Sequence, residues 1–190
     1  MDPLIKPRRM LGAMAVALLA GAGTAVIASG AAAPEHVITL RGADQQILTV
    51  RGSDFGDAIT IAGRAGGGQM LTIIGDSVIE NQRTDCTTSP TTMTEAYCNG
   101  VDTKKIDIAL ADGRDNLDFA EGAGGGITIE GRGAAGADEL NGSTDPDHFD
   151  GGPGGDTLRG KRGDDELDGA AGNDRCAGGP GKDKIRNCEQ

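Results

Sequence analysis

Residues 133–186 read, in blocks of nine, GAAGADELN, GSTDPDHFD, GGPGGDTLR, GKRGDDELD, GAAGNDRCA and GGPGKDKIR. The blocks follow one another without an insertion. Position one is always glycine: Gly133, Gly142, Gly151, Gly160, Gly169 and Gly178. Position six is always aspartate: Asp138, Asp147, Asp156, Asp165, Asp174 and Asp183. Position four is glycine except at Asp145, and position eight holds Leu140, Phe149, Leu158, Leu167, Cys176 and Ile185. The chain has 33 glycines in 190 residues, an excess that composition alone would assign to disorder or to a backbone of tight turns. A fixed period with one apolar residue per block selects the second reading.

These blocks resemble the RTX, or haemolysin-type, calcium-binding nonapeptide G-G-x-G-x-D-x-U-x, in which U is a large apolar residue. Blocks 151–159 and 178–186 fit it fully. The resemblance implies a turn over the first six residues of each block and a short strand over the last three. Two blocks would complete one coil of a parallel β-roll, with calcium between turns stacked on the same side.

The chemistry of the residues points the same way. Glycine permits backbone torsions that turn carbonyls toward a cation, and calcium takes six to eight oxygens at about 2.4 Å, from carboxylates and carbonyls. The six position-six aspartates are therefore the candidate ligands. With two blocks per coil, Asp138, Asp156 and Asp174 stack on one edge and Asp147, Asp165 and Asp183 on the other. Parallel strands lie about 4.8 Å apart, a spacing at which stacked carboxylates repel unless a cation separates them. Position eight supplies an inward core that is thin, so folding of this region is expected to be coupled to calcium.

Departures from the pattern mark individual blocks. Asp145-Pro146 either adds a carboxylate to its turn or stiffens it against binding. Asp164 and Glu166 beside Asp165 read as solubilising charges, and His148 as an exposed strand residue.

Upstream, β-branched runs at 37–40, 47–50, 58–61, 70–74, 105–110, 116–119 and 127–130 alternate with glycine and aspartate. No window has a helical period. The expected fold is all-β: a parallel β-roll or β-solenoid, preceded by degenerate solenoid coils or a small β-domain. Asp115, in Gly113-Arg114-Asp115-Asn116-Leu117, echoes the repeat out of frame, and Asp57 does so more faintly; each is a further calcium ligand or a simple turn aspartate. Residues 81–100 are the longest strand-poor stretch and read as a surface loop. Cys86, Cys98, Cys176 and Cys188 allow three pairings, of which the local ones, Cys86–Cys98 and Cys176–Cys188, are expected, the second closing the tail over the end of the array. Zinc, the rival for these thiols, usually takes ligands two to four apart.

Residues 1–33 open with Lys6, Arg8 and Arg9, continue through an apolar, alanine-rich stretch and end in small residues, the pattern of a signal peptide cleaved after Ala31 or Ala33. An uncleaved anchor is the alternative, since 11–28 is 18 residues at the lower edge of spanning length. The expected organisation is a signal peptide at 1–33, a β-rich region at 34–132 and a calcium-binding roll with its disulfide cap at 133–190. From residue 34 onward the chain carries 15 basic and 28 acidic residues, a net charge near −13. That balance disfavours nucleic acid and anionic lipid as partners and favours metal cations.

The sequence holds no H-E-x-x-H and no G-x-S-x-G, and its aspartate pairs sit in turns rather than in an apolar cleft. The expectation is a secreted calcium-binding protein and not an enzyme, with no membrane attachment in its mature form. The alternative is a cell-surface or wall-associated adhesion or structural module rigidified by calcium. A solenoid that no longer binds metal is disfavoured by the presence of all six aspartates.

Overall fold

The computed structural model describes residues 37–41, 47–53, 56–64, 68–76, 78–81, 86–99, 103–120 and 125–189. The signal-peptide expectation falls on residues outside this set. Among the described residues there is no helix, and none therefore long and apolar enough to cross a membrane.

The strands are β1 (Val37–Arg41), β2 (Ile47–Arg51), β3 (Ala58–Arg64), β4 (Gly68–Gly75), β5 (Val78–Asn81), β6 (Cys86–Thr88), β7 (Glu95–Asn99), β8 (Lys105–Ala109), β9 (Asn116–Phe119) and β10 (Thr128–Arg132). They continue with β11 (Glu139–Asn141), β12 (His148–Asp150), β13 (Pro153–Gly154), β14 (Thr157–Arg159), β15 (Glu166–Asp168), β16 (Ala171–Gly172), β17 (Arg175–Ala177) and β18 (Lys184–Arg186). One sheet runs β5-β1-β2-β8-β10-β12-β15-β18 and the other β6-β7-β4-β3-β9-β11-β14-β17. From β2 to β18 and from β3 to β17 every pairing is parallel, so the chain winds as a β-solenoid that alternates between the two sheets. The short strands suit the nine-residue period, because three extended residues present one side chain inward and two outward.

The upstream half contains both of the expected forms. β2 with β3, and β8 with β9, are coils of the same solenoid: Leu48 and Val50 lie over Ile106 and Ile108, and Ile59 over Leu117. Between these coils the chain makes an antiparallel excursion, β4 and β7 beside β3 in one sheet, while β1 and β5 extend the other. Residues 81–100, expected to be a surface loop, instead include the hairpin strands β6 and β7. Cys86 and Cys98 are directly paired across it, disulfide-bonded and both buried. Threonine and tyrosine favour extended backbone, and the turn falls at Pro90 rather than at a glycine.

The core lies between the sheets and includes Leu40, Val50, Ile61, Ile73, Ile108, Leu117, Phe119 and Ile129, then Leu140, Phe149, Leu158 and Leu167. Phe149 fits because Gly131 lies above it; a Cβ at Gly131 would fall 2.8 Å from the Phe149 ring. Position eight points inward as expected, except at the end. Cys176 is only partly buried, and Ile185 is 46% exposed, on the edge strand β18 of its sheet.

Candidate metal centre

Two columns of turns join the sheets. Edge one carries the chain from the β2 sheet to the β3 sheet and comprises turns 52–57, 110–115, 133–138, 151–156 and 169–174. Edge two returns it through turns 142–147, 160–165 and 178–183. The structure brings the six sequence-selected aspartates together in the two expected stacks, and it adds Asp57 and Asp115 to the upstream end of edge one.

Successive aspartates are linked by one repeated bond in which the backbone N–H of each donates to Oδ1 of the next. On edge one the donors and acceptors are Asp57 to Asp115 at 2.7 Å, Asp115 to Asp138 at 2.8 Å, Asp138 to Asp156 at 2.9 Å and Asp156 to Asp174 at 2.8 Å. On edge two Ile129 donates to Asp147 at 3.1 Å, Asp147 to Asp165 at 2.9 Å and Asp165 to Asp183 at 3.1 Å. Asp115 thus belongs to the ladder although 23 residues, not eighteen, separate it from Asp138.

The second carboxylate oxygen behaves in two ways. In turns 142–147 and 52–57, Oδ2 accepts the N–H of the serine at position two, at 2.6 Å from Ser143 and 2.7 Å from Ser53. In the other five buried turns, Oδ2 of Asp115, Asp138, Asp156, Asp165 and Asp174 is buried and accepts no hydrogen bond. There position two is Ala111, Ala134, Gly152, Lys161 or Ala170, each with φ between 65° and 95°. This left-handed torsion differs from the conformation in which serine closes its turn. Asp183, at the open end of edge two, is partly exposed.

An ionised carboxylate oxygen that is buried without a partner is costly unless a cation or a proton meets it. Burial pushes the Asp115 and Asp147 carboxyls up to about 7 and that of Asp138 up to about 6. Backbone N–H bonds oppose the rise, and neighbouring carboxylates such as Asp156 beside Asp138 add to it. Asp156 and Asp165 are raised by the same burial. Among the described residues no three His, Cys, Asp or Glu side chains converge to hold a metal by themselves. Backbone carbonyls must therefore complete any site, and they are at hand. A Cβ at Gly133 would lie 2.4 Å from Asp138 Oδ2 and 2.5 Å from the Gly151 carbonyl of the next coil, so both oxygens border the space that only glycine leaves. Carboxylate and carbonyl oxygens of this kind are the donor set of a hard divalent cation.

Residues 132–156 and 150–185 match the RTX calcium-binding nonapeptide repeat, in four copies. The chain carries RTX repeats. RTX repeats bind calcium, and the RTX β-solenoid is a structural calcium-binding fold. No curated protein and no solved structure matches the chain. The RTX match ends upstream at residue 132, whereas the aspartate ladder continues to Asp57. Asp145, which replaces glycine in its turn, accepts the N–H of Gly126 at 2.9 Å through its carboxylate. His148 is on the outer face, 3.8 Å from Glu166.

Proposed function

We propose that this is a secreted calcium-binding protein whose RTX solenoid folds around the ion, and that it acts as a binding module rather than as an enzyme. The observation that carries the reading is the set of five buried, unpartnered Oδ2 atoms. Asp115, Asp138, Asp156, Asp165 and Asp174 are the first-ranked ligands, their sites to be completed by backbone carbonyls such as that of Gly151 beside Asp138. Asp147 bonds its serine and is the weaker ligand; Asp183 is met from one side only. Without calcium the ladders hold like charges at short range in a buried setting, so the metal-free repeat region is unstable at neutral pH.

Export is supported by the leader-like residues 1–33 and by two disulfides, which persist in oxidising compartments. An acidic chain that stays unfolded inside the cell and folds on meeting external calcium would link export to folding. Calorimetry of calcium against magnesium, with far-ultraviolet circular dichroism in chelator, tests the proposal. We expect β signal to grow with calcium and Asp156→Ala to lose a site. Equal affinity for magnesium, or an unchanged spectrum in excess chelator, would refute it.

A further inference from the structure

Edge one does not end at Asp174. Its N–H donates to the carboxylate of Glu189, as each earlier aspartate N–H donates to the next aspartate. The Glu189 N–H in turn donates to the Asp174 carbonyl at 2.7 Å, the bond that Thr157 makes to Asp138 and Arg175 to Asp156. In a complete coil these two bonds come from positions six and seven; here one residue supplies both. Asn187 fills position one. Its carbonyl lies 2.3 Å from where a Cβ of Gly169 would be, and Asp174 Oδ2 lies 2.8 Å from the same point. Around Gly133 the same pair of oxygens comes from Asp138 and Gly151.

Three further contacts hold this arrangement. Gly169 N–H donates to the Arg186 carbonyl at 3.1 Å, the Asn187 amide to Asp168 Oδ1 at 2.8 Å, and Cys188 is disulfide-bonded to Cys176. Asp174 is fully buried and its Oδ2 accepts no hydrogen bond.

We propose that residues 187–189 are a surrogate coil that completes one more calcium site, with Asp174 Oδ2 and the Asn187 carbonyl as ligands and Glu189 as the positioning residue. The Cys176–Cys188 disulfide is the tether that keeps this site assembled. The proposal rests on the calcium reading above, but none of its added residues belongs to the RTX frame.

The test is calcium calorimetry on the full chain beside three variants: Glu189→Ala, the pair Cys176→Ser with Cys188→Ser, and a chain ending at Arg186. We expect the truncation to bind one equivalent fewer than the unaltered chain, and the other two to weaken one equivalent at least about tenfold, a change of ~1.4 kcal/mol. Circular dichroism at saturating calcium should show the β signal retained. Should the truncation misfold, Glu189→Ala decides, since Glu189 is exposed. Unchanged stoichiometry and affinity in Glu189→Ala and the cysteine pair overturn the surrogate coil alone. Failure of the unaltered chain to bind calcium overturns the function reading from which it starts.

Discussion

The two edges of the solenoid solve one geometric problem with different chemistry. At position six, edge one holds Asp57, Asp115, Asp138, Asp156 and Asp174, a carboxylate in every coil. The corresponding column of edge two begins Leu48, Ile106 and Ile129 and changes to Asp147, Asp165 and Asp183. The backbone does not register the change, since Ile129 donates its N–H to Asp147 as an aspartate would. Coil geometry therefore does not require a carboxylate on the residue whose amide donates. Upstream, edge two adds apolar volume to the core; downstream, both edges bury charge. Buried carboxylates thus line one edge of the upstream solenoid and both edges of the array below it.

The largest effect is expected where edge two is given a carboxylate that it lacks. Ile129→Asp should destabilise the chelated protein by about 3–5 kcal/mol, because it exchanges a buried apolar side chain for an unpaired charge. Thermal melts in chelator would show a smaller loss if the site were already tolerant of charge. A comparable test concerns close approach on edge one, where Gly113, Gly136 and Gly154 bridge in parallel and β13 pairs with β16. A Cβ at Gly154 would sit 1.5 Å from the Gly136 carbonyl, whereas one at Gly155 meets nothing nearer than 3.6 Å. Gly154→Ala should cost ~3 kcal/mol and Gly155→Ala little by comparison. Similar losses in denaturant titrations would refute the contact.

Acid offers a gentler probe. Buried aspartates whose folded pKa values lie near 6 and 7, above an unfolded value of about 3.9, hold protons more tightly when folded. Their stabilisation is fully present below the unfolded value and is lost as pH rises through about 6 and then 7. The chelated protein should therefore melt at a higher temperature at pH 5 than at pH 8. The calcium-loaded protein should show the opposite trend, because protons compete with the ion for the same oxygens. A chelated midpoint that falls on acidification would contradict the burial of these groups. The smallest effect is expected at Ala170, held at φ 65° in a turn whose aspartate Oδ2 accepts no hydrogen bond. Ala170→Gly should stabilise by up to ~1 kcal/mol, the relief of a left-handed torsion exceeding the added entropy of the unfolded chain. Ser143→Gly, in a turn closed by its own serine, should give no such gain.

How much of this was legible in the sequence depended on phase. Where blocks abut, period nine placed Asp138 through Asp183 on their edges and named the inward residues. Asp115 lost its phase because the chain from Asp115 to Asp138 holds five residues beyond two blocks, and Asp57 because the antiparallel excursion separates it from Asp115. Spacing alone could not tell such aspartates from ordinary turn residues. Glu189 was hidden for a related reason: residues 187–189 replace six turn residues with three, and glutamate reaches the amide from the wrong block position. The visible clue was Cys176 in an apolar slot with Cys188 just past the last block. The serine closure was also missed, since its signal is the torsion at position two, and serine at Ser143 looked like any other variable residue.

The chain of N–H to carboxylate bonds has a direction, because every donor lies earlier in the sequence than its acceptor. A polypeptide leaving a narrow channel with its N-terminus first would present each amide before the group that satisfies it had emerged. Every coil would wait on its successor, and on edge one the Asp174 amide waits on Glu189. The coils would then close in the order in which they arrive, and a chain stalled part-way through would hold an unsatisfied amide at its latest coil.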